Sequence, residues 1–235
     1  MRTYPTIAFW AACTIGVQAG AINFTGTQVD MNGTGFGNVM NVLSVMNRGS
    51  EHGSVLWNGA ADVLGGDATN TSQTRTATAM QAAGIGGNKF AVYFNGNEPG
   101  NAPSVVLSDF TLHFLAADGS SLFNATYFAP SGGLTISDFG GSGQAGWLFE
   151  VTLTAAESLL FYGNGSHRLG MSVGANNAIT DTAGGAENFF IGQRDDNPTS
   201  GGDPTPEPAS IAVWAIAGLA LLSTKLRRTS AVQKN

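Results

Sequence analysis

The chain has 235 residues, and its ten Lys and Arg against sixteen Asp and Glu give a formal net charge of −6. This acidic balance argues against a nucleic-acid-binding protein, which needs a basic surface to contact phosphates. Only 11% of the residues are charged and 43% are apolar, so a disordered, highly charged chain is also disfavoured. The 33 glycines follow no G-X-Y period, which disfavours a collagen.

The first predicted element is a secretory signal peptide over residues 1–21. Arg2 precedes an uncharged, mostly apolar stretch over 7–17, and small residues then place cleavage after Ala19 or Ala21. A buried N-terminal helix is the alternative. Cys13 is the single cysteine and lies inside this segment, where lipidation is a second alternative. Ordinary cleavage would leave no cysteine for a disulfide or for thiolate chemistry.

Residues 22–196 are predicted to form an all-β domain, an antiparallel β-sandwich or a jelly roll. Nine short apolar runs are separated by Gly, Asn, Ser and Pro, and several of them alternate apolar with polar residues, which is the pattern of a half-buried strand. The runs cover 39–46, 54–57, 90–94, 105–115, 122–128, 134–139, 147–154, 169–173 and 189–191.

One helix is predicted within this domain, over residues 155–161. Thr154 is placed as its N-cap, and Glu157 follows three residues later, which completes a capping box. Residues 66–84 lack strong periodicity and are interpreted as a long loop or a short helix. Between residues 22 and 205 there are five basic and fifteen acidic residues, so the domain carries a formal charge near −10.

A calcium site is one hypothesis for these carboxylates. Asp30 and Asn32 place side-chain oxygens at alternating positions before Gly33, as in a calcium-binding loop. The distant glutamate of an EF-hand is missing, and the alternative is that these are turn-forming residues on the surface. We therefore expect no obligatory cofactor.

Carbohydrate binding by aromatic side chains is a further hypothesis. Trp57 and Trp147 could stack on sugar rings, with help from three tyrosines, although burial in the core is the alternative for both tryptophans. The three tyrosines are Tyr93, Tyr127 and Tyr162.

A glycan-active hydrolase would instead need two carboxylates across a groove of the sandwich. Glu51 beside His52 and the separate Glu98 are the candidates for that acid and base. No histidine pair has metal-site spacing and no G-x-S-x-G motif is present, so a non-enzymatic protein is the expectation.

The C-terminal part begins with a Pro- and Gly-rich linker over 197–205. Residues 206–228 then contain Pro206-Glu207-Pro208, an uncharged apolar stretch over 209–224, and a basic cluster that ends in Arg227 and Arg228. As a helix the apolar stretch would cover about 24 Å, slightly short of the roughly 30 Å core of a bilayer. Together with its flanks it predicts a transmembrane helix, and a buried core helix is the alternative. The basic cluster predicts a cytoplasmic end, which leaves residues 229–235 as a cytoplasmic tail and the β domain outside.

This arrangement resembles the PEP-CTERM sorting signal of exported proteins in Gram-negative bacteria that make extracellular polysaccharide. The resemblance covers the last 30 residues or so, and the tail after Arg228 is longer than the pattern leads one to expect. It implies recognition by an exosortase, a membrane-embedded cysteine transpeptidase-like enzyme that would cut near Pro206-Glu207-Pro208. The expected partners are therefore signal peptidase, the secretion machinery, an exosortase and exopolysaccharide. We expect a structural or adhesive protein of the cell surface or extracellular matrix, transiently anchored in the inner membrane.

Overall fold

The computed structural model of the chain describes residues 20–30, 39–96, 104–137, 145–174, 179–182 and 185–194. All described residues belong to one compact unit, Met1–Asp195. The predicted signal peptide lies outside the described residues except for Gly20 and Ala21.

The described part of the chain forms fifteen strands and two short helices, which confirms the all-β prediction. The elements are β1 Ala21–Asp30, β2 Val39–Val45, β3 Gly49–Glu51, β4 Gly53–Trp57, β5 Asp62–Gly66, β6 Arg75–Thr76, α1 Ala77–Ala82, β7 Lys89–Asn95, β8 Ser104–Leu107, β9 Asp109–Leu115, β10 Ser121–Phe128, β11 Leu134–Ser137, β12 Ala145–Thr152, α2 Ala155–Tyr162, β13 Arg168–Val173, β14 Ile179–Thr182 and β15 Glu187–Gly192.

The strands pair into three antiparallel sheets. The five-stranded sheet has the order β1-β12-β7-β15-β2, and the six-stranded sheet has β10-β9-β13-β4-β5 with β6 paired to β13. A four-stranded sheet has the order β11-β8-β14-β3. Neighbours in each sheet are often distant in sequence, so the sheets assemble from long-range pairings.

Phenylalanine rings join the inner faces of the five- and six-stranded sheets, which gives the domain its sandwich-like character. The ring of Phe110 on β9 lies 5.1 Å from that of Phe149 on β12, and 5.7 Å from that of Phe189 on β15. All three side chains are fully buried. Aromatic pairs at these separations stabilise a core beyond the area that they bury.

The predicted helix is present as α2, and its capping box is formed. The Thr154 hydroxyl accepts a hydrogen bond from the Glu157 amide at 3.2 Å, while Glu157 Oε2 accepts from the Thr154 amide at 2.8 Å. Within 66–84 the short-helix interpretation is confirmed by α1, whose first turn is capped by Thr76.

The predicted run over 105–115 is two strands rather than one. Val105 and Leu107 are buried at odd positions, whereas Phe110, Leu112 and Phe114 are buried at even positions. Because side chains alternate between faces, this change of parity requires a break between residues 107 and 110. The break sends β8 and β9 into different sheets.

Two Asx-Gly turns, Asn58-Gly59 and Asp118-Gly119, meet at one end of the six-stranded sheet. Gly59 and Gly119 have φ values of 94° and 87°, which glycine adopts readily. A Cβ on Gly59 would lie 2.4 Å from the Asp118 carbonyl oxygen, so close approach also requires glycine there. The Asn58-Gly59 and Asp118-Gly119 pairs therefore fix how two hairpins pack.

Candidate functional site

The outer face of the six-stranded sheet carries a cluster of neutral polar side chains, which we call the hydroxyl face. Alternation along each strand puts these side chains opposite the buried residues Leu112, Ala125 and Met171, which are fully buried in the core. The face is defined by Ser54, Thr111, His113, Asn124, Thr126 and Ser172, which are half-buried apart from the exposed Asn124.

Strand register aligns four of its hydroxyls in one row across four strands. Thr126 pairs with Thr111, Thr111 with Ser172, and Ser172 with Ser54. Neighbouring strands lie about 4.8 Å apart, so the row extends on the order of 14 Å across the sheet. The hydroxyls of Thr111 and Thr126 are 3.0 Å apart and form a hydrogen bond.

His113 lies beside this row and connects two strands. Its Nδ1 is 3.1 Å from Asn124 Oδ1, and its Nε2 is 2.9 Å from Ser172 Oγ. An amide oxygen is only an acceptor, so Nδ1 carries the proton and Nε2 accepts from the Ser172 hydroxyl. Gly170 is the residue paired with His113 on β13, and it has no side chain to compete with the imidazole for space.

The imidazole of His113 is held in its neutral form. Burial lowers the pKa of His113 because it penalises the imidazolium, and the hydrogen bond with Asn124 opposes this only in part. At neutral pH the hydroxyl face is therefore uncharged at every one of its defining residues. Hydroxyl, amide and imidazole groups of this kind both donate and accept hydrogen bonds, as sugar hydroxyls require of a partner.

The same hydrogen bonds place a serine, a histidine and an asparagine in series. Nucleophilic catalysis by serine uses a base within hydrogen-bond reach and a third group that orients the base. Ser172, His113 and Asn124 have that order and those distances. This series is not apparent from the sequence, because its members lie on β13, β9 and β10 and meet only through strand pairing.

Trp57, a predicted glycan contact, lies at the end of β4 and is half-buried. The guanidinium of Arg168 stands 3.7 Å from the centre of its ring, and its Nε1 donates to the Ala117 carbonyl at 2.8 Å. Arg168 also donates to Thr74 Oγ1 at 3.0 Å. One face of the indole is thus occupied by a cation from the same chain.

Trp147, the other predicted glycan contact, is half-buried on β12 in the five-stranded sheet. It packs against the main core, with its ring 5.7 Å from that of Phe24. The structure therefore puts the two tryptophans on different sheets. Of the tyrosines, Tyr93 and Tyr127 are buried at 7% and 6% exposure, and Tyr162 is half-buried.

The predicted acid and base differ in their surroundings. Glu51 is fully buried, and its Oε1 accepts a hydrogen bond from the Asn47 amide at 2.7 Å. His52 has a side chain that is 61% exposed, with Nδ1 3.3 Å from Asp67 Oδ2. Glu98 lies outside the described residues.

The calcium hypothesis concerns the end of β1. Asp30 is the last residue of that strand, and Asn32 lies outside the described residues. Across the described ranges no group of three or more His, Cys, Asp or Glu side chains is arranged to hold a metal ion.

The predicted sorting motif, with Pro206, Glu207, Pro208, Arg227 and Arg228, lies outside the described residues. In the part of the chain that the structure describes, no helix has the length and apolar character needed to cross a bilayer. Comparison of the chain with protein-family models, with curated proteins and with solved structures found no match.

Proposed function

We propose that the protein is an exported, non-enzymatic adhesive or structural protein of the bacterial surface or extracellular matrix, and that its hydroxyl face binds polysaccharide. The fold behind this proposal is an antiparallel β-sandwich. The observation that carries the molecular role is the aligned row Thr126, Thr111, Ser172 and Ser54. A regular row of neutral donors and acceptors suits a regular chain of sugar hydroxyls.

Charge narrows the class of polysaccharide. The predicted exported domain has fifteen acidic and five basic residues between 22 and 205. Such a domain repels a polyanion, and the hydroxyl face has no cation among its defining residues to offset this. A neutral polysaccharide is the favoured partner.

The export and sorting part of the proposal is supported by the two ends of the sequence. An apolar segment with small residues near Ala19 supports signal-peptide processing, and Pro206-Glu207-Pro208 before an apolar stretch and Arg227-Arg228 supports recognition by an exosortase. After cleavage near the proline motif, the domain would leave the inner membrane for the surface or the matrix.

Binding is tested with a double variant that removes hydroxyls but keeps shape. Thr111→Val with Thr126→Val replaces two paired hydroxyls by methyls, and we expect weaker retention on neutral polysaccharide gels, with dextran and cellulose as probes. Thr135→Val, on the exposed side of β11 in another sheet, is the matched control. Equal retention of wild type and double variant on every gel that retains the wild type, or no retention of the wild type at all, would reject the binding role.

Sorting is tested by replacing Pro206, Glu207 and Pro208 with alanine in a host that contains an exosortase. The expected result is an unprocessed chain that stays in the inner-membrane fraction. Pro198→Ala with Pro204→Ala, in the adjoining linker, is the control and leaves processing intact. Unchanged size and location of the triple variant would reject exosortase recognition.

The alternative is a glycan-active hydrolase, and one observation favours it: the series Ser172, His113 and Asn124. In that mechanism His113 Nε2 takes the proton as Ser172 Oγ attacks the ester carbonyl of an acylated sugar, and returns it to the sugar oxygen as the ester bond breaks. Water then hydrolyses the acyl-serine, and Asn124 holds the imidazole throughout. Covalent labelling at Ser172 by a serine-directed fluorophosphonate, lost in Ser172→Ala, would favour hydrolysis over simple binding.

A further inference from the structure

Glu157 is a buried carboxylate that lacks a cation in its described surroundings. Glu157 lies at the start of α2 and is only 2% exposed. Oε2 accepts from the Thr154 amide at 2.8 Å and from the Thr154 hydroxyl at 2.9 Å. None of the ion pairs formed between described residues includes Glu157. Buried carboxylates are normally paired with a positive charge, because burial of an uncompensated ion is costly.

The other oxygen of this carboxylate faces the beginning of the β domain. Gly20 N donates to Glu157 Oε1 at 3.0 Å across 137 residues of sequence. Gly20 is itself buried, directly before β1. The atom that approaches the carboxylate is thus the backbone nitrogen of the residue that follows Ala19, one of the two predicted cleavage positions.

The space around Gly20 is tight for a side chain. A Cβ at this position would lie 2.9 Å from Leu153 Cδ2 and 3.1 Å from the Thr152 carbonyl oxygen. Ala21 pairs with Thr152 in the β1–β12 ladder and is exposed. Cleavage after Ala21 would remove Gly20 and the first ladder residue, and would take the donor away from Glu157 Oε1.

From these contacts we infer that the exported chain is cut between Ala19 and Gly20, and that the new α-ammonium of Gly20 forms a buried ion pair with Glu157. Water adds across the Ala19–Gly20 peptide bond: Ala19 leaves with the removed segment as a carboxylate, and Gly20 N becomes an ammonium. The Gly20 nitrogen, which already lies 3.0 Å from Oε1, then carries the positive charge that pairs with the Glu157 carboxylate. Cleavage itself therefore creates the counterion of the buried Glu157 carboxylate.

This inference rests on the export part of the proposed function, and the first experiment separates the two. The full chain is expressed in a secreting Gram-negative host, and the N-terminus of the exported protein is read by intact mass and sequencing. A chain that begins at Gly20 supports the inference. A chain that begins at Ile22 or elsewhere overturns the inference but leaves export standing, whereas a chain that keeps Met1 overturns both.

A matched pair of variants locates the cut independently. Signal peptidase requires a small residue just before the cleaved bond. Ala19→Leu is expected to accumulate the uncleaved precursor, and Ala21→Leu is expected to be processed like the wild type. A precursor that also accumulates in Ala21→Leu would assign the cut to Ala21, because Ala19 is then the other small residue of the A-x-A pattern.

The ion pair is tested by the reactivity of the terminal amine toward an acylating reagent. In Glu157→Gln we expect labelling of Gly20 to rise at least about tenfold, the factor that corresponds to roughly 1.4 kcal/mol. Glu150→Gln, which removes an equivalent charge from β12, is the control and leaves the Gly20 rate unchanged. Equal Gly20 rates in wild type and Glu157→Gln would overturn the pair.

A measurement without any variant covers the case in which Glu157→Gln does not fold. The terminal amine of the wild-type protein is labelled in buffer and in concentrated urea, with Lys89, which is 48% exposed, as the internal standard. We expect the Gly20 rate relative to Lys89 to rise at least about tenfold on unfolding. An amine that labels equally well in both solvents is not buried against Glu157.

Discussion

The outer faces of the two main sheets differ in chemistry although the same alternation of side chains builds both. On the five-stranded sheet, Ala91, Tyr93 and Leu148 form a small apolar cluster with Val39 and Phe190 packed against it. On the six-stranded sheet, the equivalent positions form the hydroxyl face. One outer face is therefore apolar and the other neutral and polar.

Contacts from the chain beyond β15 explain the burial of the apolar face. The Tyr93 hydroxyl donates to the Gln193 carbonyl at 2.7 Å. Arg194 pairs with Glu150 at 2.5 Å, and Lys89 pairs with the same carboxylate at 3.2 Å. These contacts hold residues 193 and 194 against the apolar face, whereas the hydroxyl face carries neutral donors and acceptors. Alternation alone does not distinguish a structural face from a binding face.

The largest loss of stability is expected from a substitution in the core that supports both faces. Phe149→Ala deletes a fully buried ring that lies 5.1 Å from Phe24 and from Phe110, and 4.9 Å from Tyr127. We expect the free energy of unfolding to fall by about 3–5 kcal/mol, measured by urea denaturation. Leu160→Ala, at a half-exposed position on α2, is the control and should change stability by less than about 0.5 kcal/mol. A loss below that level for Phe149→Ala would mean that the two sheets are not joined as described.

The next largest loss of stability is expected from breaking the ion pairs at the apolar face. Glu150→Gln breaks the pairs with Lys89 and Arg194. We expect the free energy of unfolding to fall by about 1 kcal/mol at pH 7, since partly exposed pairs contribute this much at most.

The same substitution should change how stability depends on pH. Burial raises the pKa of Glu150, but the hydrogen bond from Lys89 and the attraction of Arg194 outweigh it, so the pKa lies below the ordinary 4.5. A carboxyl with a lowered folded pKa stabilises the fold above its unfolded value, and this advantage disappears as the pH falls through the folded value. The difference in urea midpoint between wild type and Glu150→Gln should therefore be present at pH 7 and become smaller as the pH falls below 4.5. A difference that stays constant on acidification would contradict this account.

A smaller effect, a loss of stability at acid pH through His113, is expected on the hydroxyl face. Burial lowers the pKa of His113 from 6.5, so the unfolded chain binds a proton there more readily than the folded protein does. The wild type should accordingly lose stability as the pH falls below about 6.5, and His113→Gln should lose less over the same range. Thermal unfolding at pH 7.5 and pH 5.5 compares the two. A parallel decrease in both proteins would show that His113 does not titrate in this way.

The smallest effect on stability is expected for Thr111→Val with Thr126→Val. Both partners of one hydrogen bond are replaced by groups of similar shape, so the free energy of unfolding should change by less than about 0.5 kcal/mol. Circular dichroism with urea denaturation measures this. A large loss would mean that the hydroxyl pair serves the fold rather than a ligand, and the contrast between the two faces would disappear.

Sequence reasoning identified most of the strands, and its omissions have physical causes. The strands that match predicted runs have apolar side chains either at alternate positions, as in β9, or in a continuous run, as in β7. The strands β1, β3, β5, β6 and β14 have no matching apolar run. In β5, Asp62–Gly66, Val63 and Leu64 are both exposed and two glycines follow. Such a strand depends on its pairing with β4, which no local pattern reveals.

The candidate site was less accessible to sequence reasoning than the fold. The sequence gives no indication that Asn124 and Ser172 are the partners of His113. Asn124 is 11 residues away and Ser172 is 59 residues away. Nothing in the spacing of these residues indicates that β9 lies between β10 and β13.

The sequence by itself determined the local features of this protein: the alternating strands, the Asn-Gly and Asp-Gly turns, and the capping box of Thr154 and Glu157. Each of these depends on interactions within a few residues, so a short pattern is sufficient. The tertiary structure alone decided which strands are neighbours, and therefore the row from Thr126 to Ser54 and the contact of Gly20 with Glu157. Those depend on pairing across long separations, where burial of the shared core rather than any local preference selects the partner.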